Sequence, residues 1–154
     1  MLASILIAAA ISVAAAPQLA IRDQVDVTAA CTSFQVYAGC QLIAACSSTG
    51  KKGDGGQIKD TTLPLSRCLA VNSTSLGFEW REKSVPLEAS GSCVPCESSC
   101  KVNSDSGELA CSCFDQARPE MGTRQATIGL NGHVFSKDGV LGCLDVTGSP
   151  YSAP

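Results

Sequence analysis

Two stretches of the chain carry one pattern about 65 residues apart, and this doubling limits the available folds more than any other feature. Residues 126–144 alternate apolar and small residues over 127–130, as a half-buried strand does. Asn131-Gly132 then tolerates positive φ, and Lys137-Asp138-Gly139 signals a tight turn. His133-Val134-Phe135 is too short to stand as an element, and 140–144 reads as a returning strand. Residues 62–80 repeat the unit. Leu63 and Leu65 answer Ile128 and Leu130, and Ser66-Arg67-Cys68-Leu69 answers Asn131-Gly132-His133-Val134. Upstream, Leu42-Ile43-Ala44-Ala45-Cys46 is echoed by Leu109-Ala110-Cys111-Ser112-Cys113. Two copies are too few for a solenoid and predict one pseudo-symmetric domain.

The rest of the chain punctuates these units. Residues 1–16 are almost wholly apolar or small and are read as a secretory signal peptide. Residues 17–30 form a polar arm without periodicity, expected to be flexible. Strands are predicted at 34–37, 42–46 and 61–65, with equivalents in the second copy. Residues 47–57, with four glycines, read as a mobile hairpin tip. Residues 81–92 read as the hinge between repeat one (31–80) and repeat two (93–145). Residues 146–154 are expected to be a disordered tail. The prediction is an all-β, disulfide-rich fold.

Ten cysteines, an even number, follow the signal peptide and predict five disulfides in an oxidising compartment. That setting argues against zinc at Cys93, Cys96, Cys111 and Cys113, and no cofactor is expected. Gly50-Lys51-Lys52 lacks the Ser or Thr of a phosphate loop. The net charge of −3 and sparse aromatics give no surface for nucleic acid. His133 is the only histidine, so any triad must use it, and none of Asp138, Asp145, Glu79 and Asp115 is flanked by features that raise a carboxyl pKa. No enzyme is expected.

The doubled motif resembles the cyanovirin-N family, small lectins built from two tandem repeats. That family's repeat begins with a cysteine, contains a Leu-x-Ala-x-Cys-like strand, continues Ile-x-Leu-[Asn/Asp]-x-x-Ile and ends Asp-Gly-x-Leu. Ile128, Leu130, Asn131, His133 and Val134, then Asp138, Gly139 and Leu141, fit without a gap. In the first copy the 72–77 turn is about two residues longer than the family's. The resemblance covers 31–144. It implies a three-stranded sheet and a hairpin per repeat, each hairpin packing on the other repeat's sheet. It implies a Cys31–Cys46 bridge and inward-facing Cys68 and Cys143. Cys113 or Cys111 is left to pair with Cys93, Cys96 or Cys100.

By the same resemblance the chain is expected to be a secreted carbohydrate-binding protein, with mannose-type glycans as partners and no membrane insertion. The alternative is a disulfide-hardened structural or interaction protein that has lost sugar binding. The first sugar cleft falls on Ser47, Thr49, Ser136, Asp138 and Asp145. A second falls on Asn72, Asp115 and Gln116. Asn72-Ser73-Thr74 is also a glycosylation sequon. A glycan on Asn72 would block the second cleft.

Overall fold

Short alternating segments broken by turn residues fold into antiparallel sheets. A computed structural model describes residues 24–37, 40–72, 74–87, 93, 96 and 98–152. The expected signal peptide, the first half of the arm (17–23) and residues 38–39 between the first two predicted strands lie outside them. In the first half, β2 (Cys31–Tyr37), β3 (Gln41–Ser47) and β4 (Ile58–Pro64) pair in sequence order. A 3-10 turn at Leu65–Arg67 leads into a hairpin of β5 (Leu69–Asn72) and β6 (Gly77–Trp80). In the second half, β7 (Ser98–Val102), β8 (Glu108–Cys113) and β9 (Arg124–Gly129) form a sheet. The hairpin of β10 (Val134–Lys137) and β11 (Val140–Cys143) follows. The first strand of each sheet carries a bulge, at Ser33 and Ser99, each with φ 55°.

The hairpins are exchanged. The β10–β11 hairpin packs on the first sheet, where β11 lies beside β4 and β3. The backbone N–H of Leu141 donates to buried Thr61 Oγ1 at 3.3 Å, and Lys59 Nζ donates to the carbonyl of Asp138 at 2.8 Å. The β5–β6 hairpin reaches the second sheet, with β6 beside β9. There the single Trp80 stacks on the single His133, centroids 4.6 Å apart and planes 10° from parallel. Leu42, Leu63, Leu65, Leu69, Leu109, Leu130, Val134 and Leu141 from both halves belong to one core cluster.

All ten cysteines are paired. Cys31–Cys46 bridges directly opposed residues of β2 and β3. Cys96–Cys113 and Cys100–Cys111 staple the second sheet, which resolves the open pairings. Cys40–Cys93 joins the halves, and buried Cys68–Cys143 ties one hairpin to the other. Cys40, Cys68 and Cys143 thus all serve bridges between segments distant in sequence.

Three sequence expectations need correction. The tail is not disordered over 146–150: β12 (Val146–Thr147) pairs with β11, and β13 (Ser149–Pro150) pairs with β4. The exposed edge of β4 supplies the partner groups, and Gly148 lets the backbone come close enough to use them. The arm is built in from residue 25: β1 (Val25–Asp26) pairs with β10, and a helical turn α1 (Val27–Ala30) buries Val27 and Ala30. His133-Val134-Phe135 reads as too short to form an element, yet Val134 and Phe135 open strand β10, which β1 and β11 flank on both sides.

Candidate functional site

Asp138-Gly139 closes the last hairpin with φ of 52° and 79°, the left-handed pair that a two-residue hairpin loop requires. The turn projects the exposed Asp138 carboxylate beside an open cleft of about 410 Å³. Phe135, Lys137 and Val140 line the cleft from the hairpin, Asp145 and Thr147 from the chain end, and Gln24 from the arm. Phe135 lies over Gly142, its register partner, where any Cβ would come within 2.5 Å of the ring. Glycine at 142 thus provides the seat of a half-buried aromatic side chain. Leu144 adds an exposed apolar group to the rim.

The expected first cleft divides in two. Asp138 and Asp145 share the open cleft. Ser136 does not reach it, because strand alternation turns it away from Phe135 and Lys137 and leaves it 1% exposed. Ser47 is buried too. Its hydroxyl bonds to Thr49 Oγ1 at 2.9 Å and donates to Asp54 Oδ1 at 3.3 Å. Thr49 Oγ1 also donates to Asp54, and the N–H of Gly56 caps the same carboxylate. The 48–57 loop is therefore organised about Asp54, with its ends joined from Ser48 N to Gln57 O, rather than a loose tip.

The residues of the expected second cleft bond within their own segments. Asn72 Nδ2 donates to Glu79, and Asn72 Oδ1 accepts from the N–H groups of Thr74 and Ser75. Asp115 accepts from the N–H of Ala117 and from Arg118 Nε, and Gln116 sits in that turn. Asn72 thus holds its turn, and Asn103 repeats the geometry at Asp105 and Ser106. Phe135, Leu144, Gln24, Thr147 and Asp54 were missed by sequence reasoning. The one available signal was Gly142, a glycine opposite an aromatic across a predicted turn.

The Ser84 hydroxyl, the residue's own N–H and the Arg67 guanidinium hold the Asp145 carboxyl below its ordinary value of 3.8. The Arg118 and Ala117 donors do the same for Asp115, and Thr49, Gly56 and Ser47 for Asp54. A depressed folded-state pKa adds stability that is present above the unfolded pKa and is lost as pH falls through the folded one. The denaturant midpoint is therefore expected to fall as pH drops below about 3.8 and to lose no contribution from these groups above about pH 5. Denaturant titrations across the acid range check this. A loss from these carboxylates centred near neutral pH would contradict it.

Among the described residues there is no group of His, Cys, Asp and Glu side chains that could hold a metal, and no helix long and apolar enough to cross a membrane. No protein-family model and no curated protein matches the chain.

Proposed function

We propose that the chain is a secreted carbohydrate-binding protein of cyanovirin-N-like, two-repeat type, seating its ligand in the cleft at the β10–β11 hairpin. The observation that carries this reading is the convergence of Asp138 and Asp145 on one open cleft that also presents Phe135 and Leu144. A sugar offers vicinal hydroxyls to carboxylates and a C–H face to an aromatic ring. The repeated sheet-and-hairpin order, the exchanged hairpins and the bulges at Ser33 and Ser99 support the family reading. No residue is assigned to catalysis, and the Asn72 turn is assigned to glycan attachment rather than glycan binding. The alternative, a hardened scaffold without a ligand, draws its support from the five disulfides.

A glycan array with the refolded mature chain separates the two readings: binding to mannose-terminated glycans is expected, and no binding to any glycan favours the scaffold. Asp138→Ala is then expected to weaken binding by about 1.5–3 kcal/mol. Asp138→Asn keeps a residue suited to the turn and removes the charge. Unchanged affinity in folded Asp138→Asn protein would move the site elsewhere.

A further inference from the structure

Asn131-Gly132 opens the turn between β9 and β10, and the pair carries a chemistry that the cleft does not use. An asparagine side chain is short enough to reach the backbone that follows it. Glycine leaves that backbone nitrogen unshielded and its dihedrals free. In such a pair the Gly132 nitrogen can attack Asn131 Cγ. The structure puts the pair at the surface, with Gly132 exposed and Asn131 half-buried, and it holds both reacting groups. The N–H of Gly132 donates to Asp26 Oδ1 at 3.0 Å. Asn131 Oδ1 accepts from Thr28 Oγ1 at 3.0 Å and from the N–H of Thr28 at 3.4 Å. Asn131 Nδ2 donates to the carbonyl of Ser106 at 3.3 Å. The side chain has little room to turn, since a Cβ on Gly107 would come within 3.1 Å of Asn131 Cγ.

We propose that Asn131-Gly132 is a latent self-modification site guarded by β1 and α1: once Asp26 releases Gly132, Asn131 is converted to an aspartyl or isoaspartyl residue without an enzyme. The Gly132 nitrogen gives its proton to a solvent base and bonds to Asn131 Cγ, closing a cyclic imide. The Cγ–Nδ2 bond breaks, and Nδ2 leaves as ammonia with a proton from water. A water molecule then opens the imide at either carbonyl. The Asp26 carboxylate opposes the first step in two ways. Its hydrogen bond must break, and its negative charge disfavours a deprotonated nitrogen beside it. The guard is built to yield, because the ladder of β1 with β10 is two residues long. Conversion runs one way. It replaces the Nδ2 donor by an acceptor facing the Ser106 carbonyl and sets a second carboxylate next to the peptide that Asp26 caps, so β1 is held less firmly afterwards.

The test is peptide mapping by mass spectrometry during incubation of the disulfide-bonded mature protein in mildly alkaline buffer, with folding checked by circular dichroism. In Asp26→Ala, Asn131 is expected to convert about tenfold faster than in the unsubstituted protein, the factor for losing one hydrogen bond to a charged group. Asn103, held in a similar turn but followed by Ser104, is the reference in the same digest and is expected to keep its rate. An unchanged rate at Asn131 in folded Asp26→Ala protein overturns the guard. So does an equal rise at Asn103, which would mark general loosening. No conversion of Asn131 even in the reduced, denatured chain overturns the site itself. Should Asp26→Ala not fold, Thr28→Val removes the Oγ1 tie on the Asn131 carboxamide instead. It carries an expected acceleration of the same kind, and an unchanged rate in it refutes the guard equally. Asn131→Asp makes the converted state directly and is expected to lose hydrogen-exchange protection at the Gly132 amide. Full protection there overturns the loosening of β1.

Discussion

Removing the Cys68–Cys143 bridge is expected to lower unfolding stability by about 4.5 kcal/mol, the largest loss among the five bridges. The two residues are 75 apart in sequence, and the constraint on the unfolded chain grows with the closed loop. The bridge is also placed where the fold depends on it. Cys68 leads into β5 and Cys143 ends β11, so it ties together the two hairpins that cross between halves. Cys40–Cys93, with a sequence separation of 53, should rank just below at about 4 kcal/mol. Cys31–Cys46 closes only 15, and its loss is expected to be nearer 3 kcal/mol. Guanidinium unfolding of Cys68→Ala/Cys143→Ala beside Cys31→Ala/Cys46→Ala measures the order. A smaller loss for the long-range pair would show that the bridge constrains little beyond what the packed hairpins already fix.

Gly148→Ala is expected to cost about 3 kcal/mol, at the upper end for inserting one methyl group into a packed site. A Cβ at 148 would lie 2.4 Å from the carbonyl oxygen of Thr62 and 2.9 Å from that of Leu141. Both are backbone atoms within sheets, so neither can yield as a side-chain end would. The chain end must move instead. It would give up the Ser149–Thr62 pairing and the bond from Thr61 Oγ1 to Ser149 O. Val146 and Thr147, which line the cleft, would move with it, so under the proposed carbohydrate reading affinity should fall together with stability. Gly129→Ala is the control: its Cβ would meet nothing within 4 Å, and its effect should stay within about 0.5 kcal/mol. Similar urea midpoints for the two variants would refute the tight-approach argument.

Much of the strand order was legible because its signals are local. Alternation at 127–130 and the Asp138-Gly139 turn are properties of adjacent residues, and both elements stand where they were expected. The even cysteine count implied complete pairing, and the structure leaves no described cysteine free. The partners of Cys111 and Cys113 were not legible, because three candidates lie within eight residues of one another in sequence and only the register of β7 against β8 selects among them. The chain ends were misjudged for a related reason. Ser149–Pro150 has no strand signal of its own, and its order comes from an open edge of β4 nearly 90 residues away. The site was half legible. The family resemblance pointed to Asp138 and Asp145, which line the candidate cleft, but which side of β10 each neighbour faces depends on strand parity, and this removed Ser136 and brought in Phe135.

The stack of Trp80 on His133 has an optical consequence. With one tryptophan in the chain, tryptophan emission comes from a single place, the joint where β6 meets the turn after β9. Emission will register separation of the first hairpin from the second sheet, since loss of the imidazole changes the indole's surroundings at once. The β10–β11 cleft offers no such reporter, because its lining contains no tryptophan. A ligand that fills that cleft can therefore leave the spectrum unchanged. A flat fluorescence titration is compatible with full occupancy there, and calorimetry or a labelled glycan is the appropriate readout.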